Sequence, residues 1–244
     1  MTASTTYNPQ PAAGMTAEHK RVLAGSMVGT TIEWFDFFIY AQAAGLIFAA
    51  QFFDPVSNEN PSLAQIISWA SLGISFLFRP LGAILAGHLG DRMGRKPVLV
   101  ITLLGMGAAT ILMGLLPTYH AIGLAAPILL VLLRILQGMS AGGEWGGAAL
   151  LTVEHAPNGR RGFFGSFPQI GVPMGMALAT IFMLVLSAIL STEQFLAWGW
   201  RIPFLSSVVL IALGYFIRRA VEESPAFEEM QELKKDSSAP LAVL

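Results

Sequence analysis

Several ionisable side chains stand inside stretches that are otherwise apolar. Glu33, Asp36 and Tyr40 lie three and four residues apart in the first such stretch, so on a helix they share one face. Arg79 and Arg134 lie in the second and fourth apolar stretches. A carboxyl group beside an arginine can exchange its charge partner when a proton or an anion arrives. These residue types therefore predict proton exchange and anion binding in a polar cavity.

The candidate proton carriers are Glu33, Asp36 and Glu144, because intramembrane acids are functional by default. The alternative is that these acids only neutralise a buried arginine and hold the helices together, and one residue can do both. Arg79 needs an acid, a backbone carbonyl or a solute carboxylate, and Glu33 or Asp36 is the candidate acid. A structural pair with Glu33 or Asp36 is also the alternative to a functional role for Arg134. The candidate solute contacts are the polar groups Arg79, Arg134, Gln137, Gln169 and Tyr40.

The stretches that carry these residues are long enough to cross a membrane. Hydrophobic residues make up 54% of the chain and charged residues 12%, which is typical of an integral membrane protein. Each span needs about 20 apolar residues. We predict six spanning helices, at residues 22–52, 64–87, 97–116, 123–153, 163–190 and 203–220. The third has no buried charge, and we expect it only to pack.

Small residues predict which helices pack closely. Gly138, Gly142 and Gly146 are four residues apart in the fourth helix, so they form a stripe that admits a neighbouring backbone. Gly171 and Gly175 have the same spacing in the fifth helix.

Basic residues predict the orientation. Apart from Arg79 and Arg134, which lie within spans, all basic residues but Arg201 fall on one side of the membrane, and by the positive-inside rule that side is cytoplasmic. Both termini are then cytoplasmic, and residues 1–20, which lack a signal-peptide pattern, are expected to be a disordered cytoplasmic tail. A net charge of -1 argues against nucleic-acid binding, and the absence of Cys excludes disulfides and cysteine metal sites. We expect no metal site.

Residues 87–97 form a charged connection between the second and third helices. Charged side chains cannot lie in hydrocarbon, so we predict a tight hairpin at the cytoplasmic face. Its spacing, Gly-x-x-x-Asp-Arg-x-Gly-Arg-Lys, resembles the loop signature of the major facilitator superfamily of secondary transporters, and Arg134-x-x-Gln137-Gly138 resembles a second signature. The loop residues of the expected conformational gate are Gly87, Asp91, Arg92, Gly94, Arg95 and Lys96.

The resemblance implies more than the residues do. Superfamily members have twelve helices, and each half consists of two inverted three-helix repeats, with the first and fourth helices lining the cavity. Glu33-Trp34 and Glu144-Trp145 would then be equivalent cavity positions. The resemblance also adds Glu154 to the gate, paired with Arg92 or Arg95; the alternative is a surface ion pair.

Five motifs narrow the resemblance to the metabolite:H⁺ symporter family, whose members carry shikimate, 2-oxoglutarate, citrate, proline or betaine. They lie at residues 32–37, 78–82, 142–148, 198–204 and 222–227. The chain is most similar to shikimate-type and uncharacterised metabolite transporters of bacterial inner membranes. Residues 221–244 correspond to the start of the cytoplasmic central connection, so we expect an amino-terminal half, truncated before the second half.

The resulting expectation is an all-α membrane protein whose residues 21–220 form a six-helix bundle. It would serve proton-coupled symport of a small organic solute, such as the carboxylate shikimate, by alternating access. The proton is the coupling ion and no cofactor is expected. Its partners would be the bilayer, the solute and the missing half or a second copy. The alternative is a six-helix channel or scaffold that dimerises. The sequence has no His-rich cluster, activated-serine motif or phosphate loop, so we do not expect an enzyme.

Overall fold

The structure is a computed structural model that describes residues 15–57, 60–157 and 159–219. Six long helices follow one another: α1 (Ala17–Ala43), α2 (Pro61–Met93), α3 (Arg95–Leu115), α4 (Ala125–Glu154), α5 (Arg161–Ile189) and α6 (Arg201–Arg219). α1 continues as a π-helix, Ala44–Phe53, and a second π-helix, Phe195–Gly199, precedes α6. Short turns lie at Pro55–Ser57, Tyr119–Ile122 and Thr192–Gln194. Most of the expected amino-terminal tail and all of the expected central connection lie outside the described residues.

The helix starts have recognisable causes. The Thr16 side chain accepts a hydrogen bond from the His19 backbone N–H and caps α1. The Asn60 side chain accepts one from the Leu63 backbone N–H, and Pro61 occupies the first position of α2, where no backbone donor is needed. Both caps satisfy donors that the helix itself leaves unpaired.

The predicted hairpin at residues 87–97 is wrong in extent. α2 continues to Met93, α3 begins at Arg95, and Gly94 alone makes the turn with φ of 100°. The glycines at 87 and 90 are helical, because a helix of 33 residues is longer than the bilayer and its charged end lies beyond the hydrocarbon. Pro97 lies in the first turn of α3, as predicted.

The helices are of membrane-spanning length and character. Within the described residues, five helices are long and apolar enough to cross a membrane. A sixth span results if the segments Thr192–Gly199 and Arg201–Ile217, bent by 50°, are counted as one. Large apolar side chains cover the outside of the bundle; Leu77 is 75% exposed and Ile189 is 73% exposed. In a soluble protein such a surface would be an aggregation liability, whereas in a bilayer it faces lipid.

The helix pairing reflects two inverted three-helix repeats. α1 packs along α5, and α2 packs along α4. If α1, α2 and α3 are matched with α4, α5 and α6 in that order, the α1–α5 pair corresponds to the α4–α2 pair. The α3–α6 pair, which is also in contact, corresponds to itself. This agrees with the predicted repeat organisation.

Glycines make both close pairs possible. A Cβ atom at Gly138 would overlap the Ser75 backbone of α2, and one at Gly142 would overlap the Arg79 carbonyl oxygen. The third predicted member of this stripe, Gly146, has no atom within 4 Å of a Cβ position, so it is not part of the contact. On α5, Gly171 and Gly175 meet the backbone of α1 in the same way. Small residues thus bring α2 against α4 and α1 against α5.

Candidate functional site

Arg79 and Glu33 form the ion pair expected from the sequence. The Arg79 NH2 atom on α2 is 3.2 Å from Glu33 Oε1 on α1, and the Glu33 side chain is 1% exposed against 21% for Arg79. Two aromatic rings flank the guanidinium: its Cζ lies 4.7 Å from the Phe76 ring centre and 5.7 Å from that of Trp34. The carboxylate is thus buried, whereas the arginine reaches an open surface.

Arg134 is held by different groups from those predicted. Its NH1 donates to Gln137 Oε1 one turn along α4, and its NH2 donates to the Leu72 carbonyl oxygen at 3.2 Å. Its Cζ lies 3.8 Å from the centre of the Tyr40 ring, a cation–π contact. Tyr40 in turn shares a hydrogen bond of 2.6 Å with Ser71. A carbonyl, an amide and an aromatic face therefore take the places in which an acid was expected.

Asp36 lies at the junction of α1, α3 and α6. Thr110 Oγ1 donates to Asp36 Oδ2 at 2.8 Å, and Ser207 Oγ donates to Oδ1 at 2.6 Å. Gln137 Nε2 donates to the same Thr110 hydroxyl at 2.8 Å, so a chain of hydrogen bonds joins Asp36 to Arg134. The side chain of Asp36 is completely buried. The expectation that the third helix only packs is wrong, because Thr110 of α3 belongs to this network.

Glu144 lies between α4 and α3. Its Oε2 accepts a hydrogen bond of 3.2 Å from Thr102 Oγ1, and the residue is completely buried. Two spaces adjoin Arg79, a small internal cavity that Glu33 also lines and an open groove, and Glu144 lines neither of them. The two Glu-Trp pairs therefore place their tryptophans on a common groove but their glutamates in different surroundings.

Two adjoining spaces meet at Arg79. A small internal cavity is lined by residues of α1 to α4: Glu33, Phe37, Ser75, Arg79, Met106, Arg134, Gln137 and Ala141. A wider open groove of about 350 Å³ is lined by Trp34, Phe76, Arg79, Pro80, Ala83, Ala141, Gly142 and Trp145. Glu33, Arg79, Arg134 and Gln137 thus converge, as the sequence predicts. Gln169 is exposed on α5 and lines neither space.

The gate residues lie where α2 turns into α3. Arg95 NH2 is 3.2 Å from Asp91 Oδ1, an ion pair across the Gly94 turn. Lys96 Nζ donates to the carbonyl oxygen of Arg219 at the end of α6, at 3.0 Å. The turn is therefore tied to the last described residue of the bundle, and the pairing of Glu154 with Arg92 or Arg95 stays a prediction.

Sequence reasoning missed the hydroxyl groups of the site. Ser71, Thr110 and Ser207 bind Tyr40 and Asp36, and each lies in a span that is otherwise largely apolar. Their position within the spans was the available signal, because a hydroxyl deep in a span needs a partner. Over the described part of the chain, no group of three His, Asp or Glu residues is placed to hold a metal ion.

Comparisons with known proteins agree with this architecture. The chain is 46% identical over 243 residues to the inner membrane metabolite transport protein YhjE of Escherichia coli K12, covering 100% of this chain and 54% of the relative. It is 44% identical over 225 residues to the shikimate transporter of the same strain, covering 92% and 51%. The chain thus spans about half the length of these relatives, which are named as transporters rather than enzymes.

A solved structure shows the same fold. The proton:xylose symporter XylE of the major facilitator superfamily, bound to 6-bromo-6-deoxy-D-glucose, superposes with a TM-score of 0.77 at 17% identity, over 91% of this chain and 48% of that one. The family described as "Sugar (and other) transporter" matches residues 22–243. The chain therefore belongs to the sugar (and other) transporter family, within the major facilitator superfamily, and has the fold of its amino-terminal half.

Proposed function

We propose that the chain forms the amino-terminal half of a proton-coupled symporter for a small organic carboxylate in a bacterial inner membrane. The observation that carries the proposal is the 3.2 Å pair of Arg79 with Glu33, at a cavity that Arg134 also lines. The buried acid can bind a proton, and the arginine, which reaches an open groove, can bind an anion. Both ligands therefore act on the same ion pair.

The pair couples the two ligands by exchange. When Glu33 takes up a proton, the Arg79 guanidinium loses its anionic partner. A solute carboxylate can then take that place, because a guanidinium binds a carboxylate through two parallel N–H donors. When the proton leaves, the restored carboxylate competes with the solute for Arg79. Proton and solute therefore bind together and leave together, which is the requirement for symport.

Arg134 and Asp36 support this exchange. Arg134 adds a second positive charge at the cavity, fixed in place by Gln137 and the ring of Tyr40. Asp36 is linked to it through Thr110, so a change of charge at Asp36 would reach Arg134 along the hydrogen bonds. Asp36 and Glu144 remain candidate proton carriers. Gln137 and Tyr40 remain candidate solute contacts, and Gln169 would act only if it faces the second half.

Alternating access supplies the transport step. One bundle rocks against another around a site at mid-membrane, so the open groove at Arg79 needs an opposing wall. The partner would be a second six-helix half or a second copy of this chain. The turn at Gly94, with both termini on its cytoplasmic side, would act as the gate. The relatives, twice as long as this chain, support a second half.

The test compares the chain alone with a completed transporter. Residues 1–244 and a chimera that joins them to the second half of the E. coli metabolite transport protein would be expressed in membrane vesicles. Uptake of radiolabelled shikimate would be measured under an imposed proton gradient, with and without a protonophore. We expect protonophore-sensitive accumulation by the chimera and none by the chain alone.

Three other outcomes would contradict the proposal. Uptake against the gradient by residues 1–244 alone would mean that transport does not need a second half. Passive ion conductance without gradient-driven uptake would favour the channel alternative. A folded chimera that accumulates none of a panel of carboxylates would rule out the solute class.

A further inference from the structure

The open groove at Arg79 has an unusual lining for a polar-solute site. Its polar side-chain atoms belong to Arg79 and to the indole N–H groups of Trp34 and Trp145; the other lining side chains are aromatic, aliphatic or absent. Among the described residues, no hydroxyl or carboxamide lines it. This wall therefore offers one anion-binding group and a set of flat apolar surfaces.

The anion-binding group on this wall is the guanidinium of Arg79, whose side chain is 21% exposed. A guanidinium binds a carboxylate through two parallel N–H donors. An anion with two acceptor oxygens therefore fits this group.

The aromatic side chains at the groove differ in how far other groups already cover them. Trp34 packs edge to face on Phe37 at 5.3 Å, and Phe37 does the same on Phe76 at 5.2 Å. The Arg79 guanidinium already lies over Phe76 and Trp34. Trp145, on α4, is 49% exposed and offers an open indole face.

This arrangement disfavours one class of solute. A quaternary ammonium group needs the faces of several aromatic rings, and here a guanidinium covers two of them. A single carboxylate on a flat or cyclic body satisfies both Arg79 and Trp145, because rings stack on an exposed indole.

We propose that Trp145 and Arg79 form a recognition pair for ring-bearing monocarboxylates, with Trp145 setting the preference for a ring. The inference rests on the proposed function, since it narrows the class of solute, but it concerns binding rather than flux. Trp145 acts on the body of the solute, and Arg79 acts on its carboxylate.

The test measures binding by saturation-transfer-difference NMR on the 244-residue chain in lipid nanodiscs. The probes are benzoate and pentanoate, which carry the same charge and differ in the ring. Trp145→Ala should weaken benzoate binding about fivefold and leave pentanoate nearly unchanged, as expected for the loss of one aromatic contact. Trp145→Phe keeps an aromatic face and should retain the preference for benzoate. Trp198→Ala, which removes another half-exposed tryptophan far along the chain, is the matched control.

Several results would overturn the inference. These are equal affinity for the two probes in the unaltered chain, equal losses for both probes in Trp145→Ala, the same loss in Trp198→Ala, or no saturable binding at all. Ring-selective binding without proton-driven uptake by the chimera would contradict the proposed transport but support this inference. Uptake that Trp145→Ala does not change, in a chimera that still folds, would contradict this inference but support the proposed transport.

Discussion

A guanidinium nitrogen of Arg79 lies 3.2 Å from Glu33 Oε1, and the two side chains differ in their exposure at the surface of the bundle. The acid is enclosed by α1 and its neighbours, whereas the guanidinium lines both the internal cavity and the open groove. An isolated charge at this depth would cost about 2.5–3.5 kcal/mol even on the lenient insertion scale. Pairing removes much of that cost, which makes the pair a structural element as well as the proposed exchange site.

The first prediction concerns the stability of this pair. Arg79→Gln leaves the Glu33 carboxylate buried without its cation and should destabilise the bundle by about 3 kcal/mol, the low end for breaking a buried pair, because Arg79 is partly exposed. The double variant Arg79→Gln with Glu33→Gln should recover most of this loss. Thermal unfolding in nanodiscs measures both. Additive losses in the double variant would mean that the two residues are not coupled.

The second prediction concerns Asp36. Asp36→Ala removes the acceptor of the Ser207 hydroxyl and should cost about 1–3 kcal/mol for that unsatisfied donor, whereas the Thr110 hydroxyl keeps the Met106 carbonyl oxygen at 3.1 Å. Asp36→Asn keeps one carboxamide oxygen, and one hydroxyl can rotate to accept from its NH₂ group, so the loss should be much smaller. The comparison uses unfolding in nanodiscs. Equal stability of the alanine and asparagine variants would show that the hydroxyls find other partners.

The third prediction concerns helix packing. A Cβ at Gly142 overlaps the Arg79 carbonyl oxygen, whereas one at Gly146 has open space. Gly142→Ala should therefore force α2 and α4 apart and lower the unfolding temperature, and it should also disturb solute binding, because Arg79 moves with its backbone. Gly146→Ala, one turn away on the same helix, is the control and should be neutral or slightly stabilising. Equal effects of the two substitutions would refute the packing role.

The fourth prediction concerns the solute. Two arginines at the cavity favour an anion over a zwitterion, so shikimate should compete for uptake by the completed chimera and betaine should not. The measurement is inhibition of labelled shikimate uptake by unlabelled competitors. Competition by betaine alone would count against a carboxylate site.

Residue depth and pattern were enough to predict much of this site. Arg79 lies too deep in α2 for comfortable snorkelling, so it was expected to need an acid, a backbone carbonyl or a solute carboxylate. Glu33 was one of the two candidate acids on α1. Arg134 and Gln137 were both expected to contact the solute, and both line the internal cavity. The glycine stripes predicted that α4 and α5 each admit a neighbouring backbone, because residue spacing determines which face of a helix carries small side chains. The identity of the neighbours, α2 and α1, comes from the structure.

Other features depend on tertiary contacts that periodicity does not contain. Arg134 was expected to meet an acid, but Tyr40 and the Leu72 carbonyl take that place, and a backbone acceptor leaves no trace in residue types. Glu144 shares its dipeptide with Glu33 but turns toward Thr102 of α3. The extent of α2 was missed because glycine and charge suggested a loop, whereas Gly87 and Gly90 continue the helix beyond the hydrocarbon.

The fifth prediction tests the central claim, that Glu33 couples the proton to the solute. In the completed chimera, Glu33→Gln mimics the protonated acid and leaves Arg79 available to a carboxylate. It should abolish accumulation of shikimate against its gradient while retaining exchange of labelled for unlabelled solute across the vesicle membrane. The direct measurement is therefore uphill uptake and exchange in the same vesicles. Loss of accumulation with preserved exchange is the predicted result, and accumulation equal to that of the unaltered chimera would contradict the account.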